Sequence, residues 1–315
     1  MLQTPVALFI FNRPEQTQRV FAEIARAQPR RLLIIADGPR TAAEAELCQA
    51  TRQIVQQVDW ECEMLTALAE QNLGCKRRML TGLNWVFDQC EEAIVLEDDC
   101  LPHPSFFTFC EELLAKYRDE PRVLAISGNN FLAPKMQQRM RESYYFSYSP
   151  LTWGWAAWRR TWKLFDFAIT AWPALRETDW LARRLANPQF KPYWEKIFDA
   201  TYRGETNAWD YQLTFAGWLH ESLSIVPRVN LVSNIGFGAA ATHTLDPQSH
   251  LANLPTHALP GPLLHPRRIV RHQQADELTF RRNYLGQIHE PPPLWRRALG
   301  KAARVTRRLI APKIS

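Results

Sequence analysis

In the first hundred residues, short runs of unbroken apolar residues alternate with longer helical stretches. PVALFIF at 5–11, RLLIIAD at 31–37 and EAIVLE at 92–97 are too uniformly apolar for half-exposed strands. Helical stretches at 15–27, 41–58 and 75–89 separate them, with a weaker strand at 61–67. Apolar strands separated by helices imply an α/β fold with a parallel sheet covered on both faces. Ligands of such sheets bind outside the carboxyl ends of the strands. Three of those ends are polar here: Asn12-Arg13, Asp37-Gly38 and Glu97-Asp98-Asp99.

The acidic triplet needs a physical reason. Carboxylates a few ångströms apart repel and raise one another's pKa, so the cluster is stable mainly when something positive sits on it. A bound metal, a solvated acidic turn and an acidic opening to the following helix are the three readings. Neither GxGxxG nor GxxxxGK[ST] occurs, which removes support for a dinucleotide or P-loop site. What remains is nucleotide binding through side chains and a metal. A hard cation on carboxylate oxygens would answer the cluster's charge.

Composition sets bounds. A chain of 315 residues with 46% apolar content supports one catalytic-sized domain and an appendage. The net charge of +6 is localised, because residues 294–315 hold seven basic residues and no acid. Removing those seven from the 38 basic residues leaves 31 against 32 acidic ones, which argues against a broad nucleic-acid footprint. The six cysteines, at 48, 62, 75, 90, 100 and 110, form no CxxC or Cys/His spacing and read as reduced core thiols of a cytosolic chain. The run 6–11 is too short for a signal or membrane helix and serves as the first strand.

The strand-helix-strand start ending in Asn12-Arg13, the second strand ending in Asp37-Gly38 and the strand running into Glu97-Asp98-Asp99 resemble the GT-A glycosyltransferases, specifically those like N-acetylglucosaminyltransferase I. The resemblance extends over residues 4–245 and implies a GT-A (Rossmann-like), mostly parallel sheet with helices on both faces. It implies a nucleotide-diphosphate sugar as donor, with the triplet as a DxD-type motif. Asp99 would bind Mn2+ or Mg2+, and Glu97 and Asp98 would face the donor. Asn12, Arg13 and Asp37 would lie on the nucleotide, with Lys76 standing about where the family has a histidine.

Three later segments continue the likeness. SPLTWGWAAWRRTW at 149–162 resembles the family's acceptor-side segment, placing Trp153, Gly154 and Trp155 beside the acceptor; Trp155, Trp158 and Trp162 also recur at helical spacing, which suits core packing. In GETNAWDYQLTFAGWL at 204–219, Asp210 opens a helix and matches the catalytic-base position, with Glu205 and Asp199 as competing carboxylates. Its alternative role is a helix-start carboxylate. In IGFGAAATHT at 235–244, His243 would complete the metal site beside Asp99 on a loop that closes over the donor.

The expected organisation is a catalytic domain at 1–250, an extended Pro- and His-rich segment at 251–293 and a basic amphipathic helix at 294–315. The last places Trp295, Leu299, Ala302, Val305 and Leu309 on one face, a pattern suited to an anionic membrane surface or to terminal packing. The resulting expectation is a metal-dependent enzyme, cytoplasmic and peripheral at the inner face of the cell membrane. It would transfer a sugar from a nucleotide-sugar donor to a glycan or lipid-linked acceptor with inversion. A non-catalytic glycan- or nucleotide-sugar-binding protein is the alternative; a pyrophosphorylase is weaker, because its glycine-rich basic N-terminal loop is absent.

Overall fold

A computed structural model describes residues 1–185, 187–238, 246, 248–259 and 261–286. Along the chain run β1 (Val6–Ile10), α1 (Pro14–Ala27), β2 (Arg31–Ala36), α2 (Ala42–Ile54), β3 (Glu63–Leu68), α3 (Cys75–Gln89) and β4 (Glu92–Glu97). After them come β5 (Cys100–Pro102), α4 (Pro104–Lys116), β6 (Val123–Ser127), α5 (Pro134–Gln137), β7 (Tyr144–Ser147), β8 (Trp155–Trp158) and α6 (Arg159–Trp162). The rest comprises α7 (Trp172–Arg176), α8 (Trp180–Arg184), α9 (Lys191–Tyr202), α10 (Asp210–Leu219), β9 (Leu223–Pro227), β10 (Val232–Asn234) and α11 (Gln273–Tyr284).

Eight strands form one sheet in the order β3-β2-β1-β4-β8-β6-β9-β7. The first four are mutually parallel. Strand β8 runs antiparallel between β4 and β6, while β6 and β9 are parallel and β7 closes the edge antiparallel to β9. The α/β architecture expected from the strand–helix alternation is therefore present.

Alternate residues of each central strand feed opposite faces. Val6, Leu8 and Ile10 meet Val20, Phe21 and Ile24 of α1 and Phe106, Phe109 and Leu113 of α4. Ala7 and Phe9 meet Met79, Leu83, Val86 and Phe87 of α3. Each of the larger of these side chains contributes about 1.5–3 kcal/mol on full burial. A Cβ at Gly82 would lie 2.4 Å from Phe9, so the glycine lets α3 approach the sheet closely. Register brings Phe9 level with both Ile35 and Glu97, so the ends of β1, β2 and β4 share one rim.

Two local expectations are corrected. The helical spacing of Trp155 and Trp158 belongs to a strand: Trp155 and Ala157 face one core and Ala156 and Trp158 the other. Hydrogen-bonded neighbours on both sides outweigh the local periodicity there. The segment taken as extended also contains α11, opened by His272 Nδ1 accepting from the Ala275 N–H. Phe280 stacks on Phe190 at 3.9 Å, and buried Asp276 accepts from Ser147 Oγ at 2.6 Å and pairs with Arg271. The amphipathic helix expected at 294–315 lies outside the described residues. No helix among the described residues is long and apolar enough to cross a membrane.

Asp276→Ala would leave the Arg271 guanidinium, packed 3.7 Å from the Tyr148 ring centroid, without its carboxylate. Urea unfolding at neutral pH should show a loss of about 3–5 kcal/mol. Burial raises the Asp276 carboxyl to about 6, against the opposing pull of Arg271 and Ser147. The proton is thus held more tightly folded than unfolded. Apart from the ion pair itself, this proton-linked part of the stability should be complete below the unfolded value of 3.8 and lost as pH rises through about 6, a trend absent from Asp276→Asn.

Candidate active site

A cleft of about 550 Å3 opens on this rim, walled by Arg13 after β1, Asp37 after β2 and the acidic triplet after β4. Its other wall comes from Thr152 and Trp153 and from residues 207–211, ending in Asp210 and Tyr211.

The triplet is divided in its duties. Asp98 is buried; its Oδ2 accepts the Phe11 N–H at 3.0 Å, which ties the end of β4 to the end of β1. Burial first, then Asp99, pushes its carboxyl up to about 7 against the pull of Arg13. Glu97 is driven well above the usual carboxylate range by burial and then by Asp99, Asp98 and Asp210. Asp99 Oδ2 takes a 2.7 Å bond from Arg13 Nη1, which also lies 3.5 Å from Asp98 Oδ1. Burial opposes the Arg13 charge, but Asp98 and Asp99 outweigh it and raise its pKa.

Strands β5 and β10 lock the far side of Asp99. They pair antiparallel, and the Ile235 N–H donates to the Asp99 carbonyl at 2.8 Å. A Cβ on Gly236 would stand 2.2 Å from Asp99 Oδ2, so only glycine leaves the carboxylate where it is. These oxygen donors fit a hard divalent cation. Among the described residues no three His, Cys, Asp or Glu side chains converge into a metal cage. A cation would take one or two carboxylates, Asp99 with Glu97, and complete its shell with phosphate oxygens and water.

Asp210 is the first residue of α10 and faces the cleft, near enough to Glu97 to raise its pKa. Its competitors are engaged elsewhere: Glu205 pairs with Arg203, and Asp199 binds Arg176 and the Trp172 indole N–H. Trp153 lines the cleft, braced edge-on by Phe131 at 5.0 Å and Phe237 at 5.8 Å. Gly154 supplies a positive φ of 62°, and a Cβ there would meet Val232 at 2.8 Å.

Several expected contacts are placed differently. Trp155 is core, tilted against Trp209. Lys76 donates to the Thr206 carbonyl at 3.0 Å and sits 4.9 Å over the Phe167 ring, so it braces the loop before Asp210. Asn12 donates to Glu44 Oε1 at 3.2 Å. Asp37 borders the cleft but is already committed: Oδ1 accepts from the Gly38 and Leu73 N–H groups, and Oδ2 from the Gly74 N–H and the Asn72 amide, all within 2.9–3.1 Å. His243 lies outside the described residues.

Arg40, Asn72, Cys75, Arg78 and Asn234 also line the cleft, and sequence reasoning missed them. The strand-end rule, applied to β3 as well, would have pointed to Asn72. Burial, with Glu97, Asp210 and Asp99, pushes the Cys75 thiol up to about 12, so it stays neutral.

No family model matches this chain, and no curated protein matches it either. Similar solved structures include a UDP-glucose pyrophosphorylase complexed with UDP-glucose, at 14% identity over 46% of this chain and 63% of that one, with a TM-score of 0.27. Another is S. aureus TarS 1–349, at 11% identity over 71% and 58%, with a TM-score of 0.41. The chain spans less than two thirds of either. Both scores are low, and the functional reading rests on the chain's own residues.

Asp37→Ala would strip acceptors from the N–H groups of Gly38, Leu73 and Gly74. Stability should fall by at least about 2 kcal/mol, and hydrogen exchange at the Leu73 and Gly74 amides should quicken. Unchanged protection at those amides would show that Asp37 does not hold this wall.

Proposed function

We propose that the cleft binds a nucleotide-diphosphate sugar, a UDP-sugar in the first instance, together with Mn2+ or Mg2+, and transfers the hexosyl or N-acetylhexosaminyl group to an acceptor hydroxyl with inversion. One observation carries this reading: Glu97, Asp98, Asp99 and Asp210 line a single cleft at the carboxyl ends of β1 and β4 together with Arg13, which pairs with Asp98 and Asp99. The residues at these strand ends are also those that resemble the N-acetylglucosaminyltransferase I-like GT-A enzymes.

Each group then has a task. Asp99, with Glu97, would hold the cation, which when bound offsets the charge of the departing diphosphate. Arg13 supplies a planar fork suited to phosphate oxygens. Trp153 offers an aromatic wall for a sugar face. Asp210 takes the proton from the acceptor hydroxyl as that oxygen bonds to the anomeric carbon, while the bond from that carbon to the diphosphate oxygen breaks on the opposite face. Lys76 holds the Thr206 carbonyl and so the approach to Asp210. The acceptor in this reading is a glycan or lipid-linked hydroxyl, with the basic residues of 294–315 drawing the enzyme to an anionic membrane.

Incubation with a panel of nucleotide sugars and Mn2+ should release nucleoside diphosphate. Asp99→Ala should abolish Mn2+-dependent binding of nucleoside diphosphate in calorimetry while still unfolding in one cooperative transition. Asp210→Asn should bind donor as the wild type does and turn over ~10²- to 10⁴-fold more slowly. Donor binding without release of diphosphate by the wild type would leave a binding protein in place of an enzyme.

A further inference from the structure

We infer that Arg13 is the resident counter-cation of the acidic triplet, and that a divalent cation gains Asp99 only by displacing the Arg13 guanidinium, which is then released toward the diphosphate. The inference rests on the nucleotide-sugar reading above and adds an order of events to it.

The contact is built in. Arg13 Nη1 lies 2.7 Å from Asp99 Oδ2 and 3.5 Å from Asp98 Oδ1, with side-chain exposures of 15%, 14% and 9% for the three residues. Such a pair is largely withdrawn from water, unlike a surface ion pair whose contribution is screened away. Both partners are held from behind. Arg13 caps α1 and its carbonyl accepts the Thr17 N–H at 3.0 Å, with Pro14 next in the chain. Asp98 is tied to the Phe11 N–H, and Asp99 Oδ2 is confined by Gly236. Backbone movement is thus costly at both ends. Rearrangement of the pair therefore falls to the side chains.

The guanidinium occupies Oδ2, one of the two Asp99 oxygens a cation could use, while Oδ1 lies 3.5 Å from the Cys100 thiol. Two positive groups on one carboxylate repel, so a cation binds Asp99 against the charge of the guanidinium until that group moves off. A diphosphate in the same cleft offers the guanidinium a better, bidentate partner. Cation alone should therefore bind weakly. Cation and nucleoside diphosphate should bind cooperatively, because the diphosphate takes Arg13 off Asp99.

The test titrates Mn2+ into the full chain without nucleotide, following free Mn2+ by electron paramagnetic resonance and heat by calorimetry. Arg13→Gln, which removes the charge but keeps a donor, should bind Mn2+ at least about tenfold more tightly than the wild type, the scale on which an adjacent opposite charge alters a carboxylate's affinity for a proton. Arg13→Lys, which keeps the competing charge, should stay close to the wild type. If Arg13→Gln binds Mn2+ no more tightly, or if Arg13→Lys tightens as much as Arg13→Gln, the guanidinium charge is not the competitor and the inference is wrong. Failure of every protein to bind Mn2+, with or without UDP, overturns it too; UDP binding measured in the same samples without metal shows separately whether the nucleotide-sugar reading stands.

Discussion

Carboxylates packed at the end of a buried strand repel one another, and the architecture around Asp98 and Asp99 is arranged to contain that repulsion. The Phe11 amide and the Arg13 guanidinium, both just past β1, reach across to the end of β4. They can do so because β1 and β4 are parallel neighbours in register, with Phe9 level with Glu97. The sheet order therefore places the positive charge as well as the acids.

The remaining walls of the cleft depend on contacts between distant segments. Strand β10 pairs with β5 immediately after the triplet and brings Gly236 onto Asp99. Helix α10 presents Asp210, and Lys76 from α3 holds the loop leading to it. Asp37 organises residues 72–74 through backbone donors. Much of the polar surface of the cleft is thus spent on positioning the few charged groups left facing it. That division suits chemistry which depends on charges held in place before the substrate arrives.

The C-terminal arm has a related role. Arg271 and Asp276 bind it to β7, the edge strand of the sheet, and Phe280 enters the aromatic cluster formed with α9 and α10. Tyr284, half-buried at the end of α11, packs into the cluster that includes Tyr211 and Trp218 of α10, and its pKa is raised by burial first and by Asp210 next, so the arm reaches the helix that presents Asp210. Covering an open sheet edge and backing the helix that carries Asp210 are achieved by one segment.

The strand–helix alternation, the polar strand ends and the helix opened by Asp210 were legible in the sequence because each depends on residues near one another in the chain. Apolar runs signal buried strands wherever they occur, and the strand-end rule then names the rim. Partner choice was not legible. Nothing local to Arg13 reveals a carboxylate 86 positions away, and nothing local to Asp37 shows that its oxygens are filled by residues 72–74. The tryptophan spacing at 155–162 pointed rightly to core but not to a strand, since hydrogen bonding to β4 and β6 decided that. The sequence by itself determined the α/β framework and which residues end its strands, because burial periodicity is local. Only the tertiary structure decided which charged groups face the cleft and which hold its walls, because that depends on which distant segments the sheet brings within hydrogen-bonding reach.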